Sequence, residues 1–255
     1  MHGTSIRLRR KSKRKSDGER DAFLAVVSHE LRNQINAILG WSTLMRKPAT
    51  DADTLARGLA VIECNANLQA KLIEQLVDLS RVRVNCLNPS VQRVLLVPVV
   101  AAAIDSMLPL ASQKGIQLVS QLESSNYAVR GDAGLLQQAL TNLIGNAIKF
   151  TPPGGRIELR LTTHGTWAEI TISDTGCGIP AEFLHLIFDP FKQVYTGQTN
   201  RNGLGLGLTI TDHIIATHKG TIRAISLGEG KGTTFIITLP LENSDNGLHQ
   251  NHSRQ

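Results

Sequence analysis

The sequence has no stretch approaching the ~18 to 20 consecutive apolar residues that a bilayer crossing needs. Its longest apolar run, residues 94–104, is broken by Pro98, so no membrane span is expected. Basic residues near the N-terminus are not followed by an apolar core of the kind a secretory signal carries. The cytoplasm is therefore the expected compartment, with the membrane surface reachable through a partner or the basic N-terminus. Cysteine is scarce: Cys64, Cys86 and Cys177 lie far apart with no C-x-x-C pair. That spacing argues against a disulfide framework and against a zinc site. Neither the glycine-lysine spacing of a P-loop nor a paired H-R-D and D-F-G appears, which excludes two common ways of holding a triphosphate.

What is present is 255 residues with 41% hydrophobic content, enough for one large domain or two modest ones. The formal charge of +6 is concentrated at Arg7, Arg9, Arg10, Lys11, Lys13, Arg14 and Lys15. Without a basic stripe on a folded element, such a run reads as a solvated tail or linker, and no specific nucleic-acid binding is expected.

Apolar residues at Phe23, Val27, Leu31, Ile35, Ile38 and Met45 fall within one stripe at about 100° per residue, the pattern of an amphipathic helix. Pro48 stops it, and Asp51 or Asp53 can cap the next helix. That second helix, residues 54–80, carries Leu55, Leu59, Ile62, Ala66, Gln69, Ile73 and Leu76 in steps of four and three, the heptad spacing of bundle helices. Two such helices bury little against each other, so a second copy is expected to complete a four-helix bundle, making a homodimer.

Asn85, Asn88 and Pro89 then mark a linker. Beyond it, strands are expected at 91–95, 116–122, 127–130, 156–163, 167–173, 221–226 and 233–239, with helices at 97–114, 133–150 and 208–218. The expected fold class is α+β: an N-terminal helical hairpin forming a dimeric four-helix bundle, followed by a two-layer α/β sandwich. The expected divisions are a basic disordered tail or linker at 1–19, the helical hairpin at 20–85, the α/β domain at 91–241, and a polar disordered tail at 242–255.

His29 lies roughly opposite the apolar stripe of the first helix, sharing its face with Ala25, Arg32, Asn33 and Asn36. An exposed histidine is ordinarily inert. Here, however, residues 23–38 read FLAVVSHELRNQINAI, which resembles the H-box of the sensor histidine kinases. Residues 142–150, NLIGNAIKF, look like the N-box of that family, and 174–180, DTGCGIP, like its G1 box. Phe188, Asp189, Pro190 and Phe191 resemble the F-box, and 203–208, GLGLGL, the G2 box. All five stand in the family's order, each on the kind of element it requires.

The resemblance covers residues from about 20 to 241 and implies a phosphoacceptor hairpin joined to a Bergerat-type ATP-binding domain. His29 would be the phosphoacceptor, since a neutral imidazole has a ring-nitrogen lone pair that can attack phosphorus without a strong base. Glu30 would fix its tautomer, and Asn33 would orient a water when the partner is dephosphorylated. Asn146 would be the Mg²⁺ ligand, supported by Asn142, with Lys149 on a phosphate and Phe150 lining the adenine pocket. Asp174 would accept a hydrogen bond from the adenine amino group, while Gly176 and Gly178 allow close backbone approach. Phe188 and Phe191 would anchor a lid at 192–202. Gly203, Leu204, Gly205, Leu206 and Gly207, just ahead of a helix, would offer N–H groups to the triphosphate.

The implied activity is ATP- and Mg²⁺-dependent phosphorylation of His29 followed by relay to a response-regulator receiver domain, under an upstream sensor domain or protein outside this chain. Gln34 stands where many members have proline, so the helix should run straighter there. Leu135 replaces a common arginine. An ATP-binding phosphatase or scaffold that has lost autophosphorylation is the alternative that Gln34 motivates.

Overall fold

In a computed structural model the described residues are 27–29, 31–47, 51–83, 91–123, 127–192 and 205–242. Residues 1–19 and 243–255 of the expected tails, Glu30, Gly203, Leu204 and the expected lid beyond Lys192 lie outside them. The chain divides into two compact units, one ending at Ser80 and one built from Arg81 onward.

The first unit is a helical hairpin. Helix α1 is continuous through residues 31–45, preceded by helical backbone at 27–29, and α2 spans Ala52–Arg83. Asp51 starts α2 as expected: its carboxylate accepts from the Thr54 N–H at 2.7 Å and the Thr54 hydroxyl at 2.9 Å. Those two bonds hold its pKa below the ordinary carboxylate value. Where the helices meet, a Cβ on Gly58 would lie 2.6 Å from Met45 Sδ and 2.9 Å from Trp41 Cε3. Glycine there lets the two backbones approach. Gln34 sits in unbroken helix, as its lack of a proline ring requires, with Oε1 buried and without a hydrogen-bond partner among the described residues.

The second unit places a five-stranded sheet under three helices. Its elements run β1 (Gln92–Leu95), α3 (Leu96–Gln113), β2 (Gln117–Leu122), β3 (Ala128–Gly131), α4 (Ala133–Phe150), β4 (Arg156–His164), β5 (Trp167–Asp174), α5 (Gly207–Thr217), β6 (Thr221–Ile225) and β7 (Thr233–Pro240). The sheet order is β2-β4-β5-β7-β6, and β1 pairs with β3 in a separate antiparallel ribbon. Strand β2 is parallel to β4 and the other neighbours are antiparallel.

Register puts Leu159 opposite Ile172, Leu161 opposite Ile170, Ile172 opposite Phe235 and Ile170 opposite Ile237, all buried. One sheet face is thus a continuous apolar layer, each such side chain contributing roughly 1.5 to 3 kcal/mol by burial. The other face is polar, with Ser173 and Thr234 hydroxyls 3.0 Å apart and Thr221 and Thr238 hydroxyls 2.6 Å apart.

Helix α3 lies within one residue of its expected bounds. Its 18 residues are long and apolar enough to cross a bilayer by composition. In the fold Leu96, Val99, Val100, Ala103 and Ala111 are buried, so one face of this apolar helix packs into the core. Expected element ends shift by a residue or two, and α2 runs three residues beyond its expected end. Ends fray because the closing hydrogen bonds depend on neighbours.

Candidate functional site

Helix α4 is the hub of the site. Asp132 caps it, its Oδ1 accepting from the Leu135 N–H at 3.1 Å. Leu136, Leu140, Leu143, Ile144 and Ala147 turn into the core. That burial leaves Asn142 and Asn146, four apart, half-buried on a flank of the helix. The two asparagines differ in partners. Asn142 Nδ2 donates to Thr211 Oγ1 on α5 at 2.8 Å, and a Cβ on Gly207 would fall 2.5 Å from Asn142 Oδ1. Asn142 therefore ties α4 to the start of α5. Asn146 makes no side-chain hydrogen bond among the described residues, which leaves its amide oxygen open to a ligand.

The end of α4 is held from two sides. Lys114 Nζ donates to the carbonyls of Ile148 at 2.6 Å and Lys149 at 2.8 Å, and the Cys177 N–H donates to the Phe150 carbonyl at 3.1 Å. Lys149 Nζ lies 5.1 Å from the Phe150 ring centroid, a cation–π distance. Partial burial lowers the pKa of that ammonium.

Asp174 ends β5, where Oδ1 accepts from the Gly176 N–H at 2.8 Å and the Thr233 N–H at 3.2 Å. Burial raises its pKa, opposed in part by those two N–H groups. One carboxylate oxygen is committed to the backbone, and Oδ2 has no hydrogen-bond partner among the described residues. The adjoining loop has no room for side chains: a Cβ on Gly176 would lie 2.6 Å from the Phe150 carbonyl oxygen, and Gly178, at φ +70°, abuts the Gly228 carbonyl.

The β6–β7 hairpin, expected from the sequence, packs its linking turn against this loop, a role of its glycines that the sequence reading does not include. Gly232, at φ +68°, abuts the Asp174 carbonyl, and the Gly230 N–H donates to the Cys177 carbonyl at 2.6 Å. Ser226 Oγ accepts from the Ile179 N–H at 2.9 Å and donates to the Gly232 carbonyl at 2.7 Å. The available signal was three glycines, Gly228, Gly230 and Gly232, within five residues between two strands.

Across from α4, α5 begins at Gly207 with no side-chain cap on its first turn. Its leading N–H groups are the unsatisfied donors that every helix start presents. Leu206 is buried, and Gly205, at φ +70°, accepts from the Phe191 N–H at 3.1 Å. Phe191 itself stands at φ +65°, a conformation uncommon outside glycine. Phe188 is anchored through its carbonyl, which accepts from Thr209 Oγ1 at 2.8 Å.

The far end of α5 is also tied to α4. His218 is 4% exposed, its Nδ1 is 2.7 Å from the Ile214 carbonyl and its Nε2 accepts from the Asp132 N–H at 2.9 Å. Of the expected residues in this unit, Asn142, Asn146, Lys149, Phe150, Asp174, Gly176, Gly178, Phe188, Phe191, Gly205, Leu206 and Gly207 border α4, α5 or the loops linked to them. The arrangement can seat an adenine at a carboxylate and phosphates at a helix start. No group of three or more His, Cys, Asp or Glu side chains suited to a metal occurs among the described residues.

In the first unit His29 is exposed, as are Arg32, Asn33 and Asn36, while Val27 is buried. The histidine thus stands off the apolar stripe. Asn33 Nδ2 lies 3.2 Å from His29 Nδ1.

Residues 131–243 match the "Histidine kinase-, DNA gyrase B-, and HSP90-like ATPase" model, and residues 19–84 match the "His Kinase A (phospho-acceptor) domain". Hybrid signal transduction histidine kinase D of Dictyostelium discoideum is 34% identical over 87% of this chain, which covers 17% of that protein. The sensor-like histidine kinase SenX3 of Mycolicibacterium smegmatis is 31% identical over 88% of the chain and 58% of that protein. The chain thus spans less than two thirds of the length of these curated relatives. The structure of full-length ShkA in complex with AMPPNP aligns with a TM-score of 0.64 at 26% identity, covering 87% of this chain and 46% of ShkA. A phosphoacceptor-type hairpin followed by an ATPase-type sandwich, each matched by its own model and both by the same relatives, makes this chain a catalytic core of the histidine kinase family.

Proposed function

We propose that this chain binds ATP in its second unit, phosphorylates its own His29, and passes the phosphoryl group to an aspartate of a response-regulator receiver domain. The observation that carries the reading is the convergence on α4 of an open amide at Asn146, a half-buried carboxylate at Asp174 and the uncapped start of α5 beside Asn142. Asp174 Oδ2 accepts from the adenine amino group, with Phe150, Phe188 and Phe191 around the base. Gly203 to Gly207 and the first turn of α5 bind the triphosphate. The structure of full-length ShkA in complex with AMPPNP supports nucleotide binding by this chain.

Mg²⁺ fits the donor set: it takes hard oxygen ligands, keeps several waters and draws others from substrate phosphates, so one amide oxygen from Asn146 suffices. When bound, the ion neutralises charge on the triphosphate. Lys149 adds a cation near the phosphates. In the transfer, a lone pair on a His29 ring nitrogen forms the N–P bond as the bond from the γ-phosphorus to the ADP oxygen breaks. ADP leaves, and the proton on the other ring nitrogen passes to Glu30 or to solvent. Positioning supplies most of the rate.

Asn33, beside the ring, orients water when the phosphorylated partner is hydrolysed. ATP as donor points to the cytoplasm. A homodimer and an upstream sensor domain or protein complete the assembly. Incubation with Mg²⁺ and ATP radiolabelled at the γ position tests the reading: the chain acquires label, and Asn146→Ala prevents it while the protein stays folded. ATP hydrolysis with no label on the protein would overturn it.

A further inference from the structure

The contact between Asn33 and His29 involves the ring nitrogen that is not the outermost one. In a helix, side chains lean toward the N-terminus, so residue 33 lies over residue 29 one turn back. Here the Asn33 carboxamide nitrogen sits 3.2 Å from His29 Nδ1. A carboxamide nitrogen only donates, so this arrangement requires a lone pair on Nδ1. In a neutral ring the proton then resides on Nε2, and the lone pair of the outer nitrogen is withheld from phosphorus. A half-turn of the carboxamide brings Oδ1 to Nδ1 instead. That oxygen only accepts, so Nδ1 must carry the proton and Nε2 is freed as the nucleophile.

We propose that Asn33 is a positioning residue that biases the tautomer of His29 beside the role the resemblance gives Glu30, withholding Nε2 when its amide nitrogen faces the ring and exposing it when its oxygen does. This inference rests on the proposed function and adds to it. Asparagine suits the position because donor and acceptor share one pivot. Rotation requires no backbone movement, since both side chains are exposed. The proton moves between ring nitrogens through solvent, so no other reactant is needed.

The test uses the full chain with ¹⁵N-labelled histidine, at about pH 8.5 so that an ordinary imidazole is neutral. Long-range ¹H–¹⁵N correlation reads the tautomer, and the His29 signals are those missing from His29→Gln. Asn33→Asp can only accept, and Asn33→Leu can do neither. The expected order of the Nδ1–H fraction is Asn33→Asp, then Asn33→Leu, then the unaltered protein, with steps of about three- to tenfold, the worth of one net hydrogen bond. Autophosphorylation at saturating ATP should follow the same order with KM for ATP unchanged.

Equal tautomer populations in the three proteins would overturn the inference, as would rates that do not follow them. The tautomer readout needs no ATP, so the two ideas fail separately. Populations that respond while no protein is labelled uphold the coupling and sink the kinase reading. A labelled His29 with unresponsive tautomers does the reverse.

Discussion

Asp174 is placed where its charge is costly to the fold. Burial raises its pKa above the ordinary 3.8, and the N–H groups of Gly176 and Thr233 only partly offset this. Between the unfolded value and the higher folded one, the folded state binds more protons. Stability therefore falls as pH rises through that window, and above it the full penalty persists. Asp174→Asn is expected to melt higher than the unaltered protein at neutral pH and to bind ATP at least about tenfold more weakly, a change of about 1.4 kcal/mol. Calorimetric melting and nucleotide titration check both halves. A lower melting temperature would mean that the carboxylate is structural and not a recognition group. The box around His29 was legible because several residue types recur there in fixed order. The different duties of Asn142 and Asn146 were implied only by the resemblance, since spacing puts both on one face. What separates them physically is Thr211, 69 positions away. His218 was not singled out as a tie, because its partner Asp132 lies 86 residues earlier.

Among the elements, α4 matches its expected bounds, 133–150, because its apolar periodicity is local and runs throughout. Asp132→Ala is expected to cost about 1 kcal/mol through the lost cap, read as a lower urea midpoint with unchanged slope. An unchanged midpoint would show that His218, bound to the same residue's N–H, holds the helix start alone. The other end of α4 is held by Lys114, the residue just after α3, a long-range device with no local sequence signature. For helix α3 composition alone does not separate a core helix from a membrane helix, and the burial of one of its faces is visible only in the fold. The β6–β7 hairpin was read as strands and its glycines passed over. Their requirement comes from Asp174 and Cys177, which approach from another part of the sheet.

At the scale of the whole molecule, the hairpin unit leaves apolar side chains uncovered in a single chain. Leu59 is 54% and Ile73 52% exposed, and Ile35, Leu39 and Val77 are also exposed. Leu59 and Ile73 are two heptads apart, on the stripe that the sequence assigned to a bundle. Leu59→Glu with Ile73→Glu is expected to convert a dimer to a monomer in analytical ultracentrifugation while the ATPase-type unit still binds nucleotide. A monomeric unaltered protein would contradict the bundle. The central claim is that ATP's γ-phosphoryl group arrives on His29. Its most direct measurement is the chemical stability and location of the label after incubation with radiolabelled ATP and Mg²⁺. The expected result is label that is lost in acid, survives base, and is absent from His29→Gln. Label of the same amount and stability on His29→Gln would contradict the account.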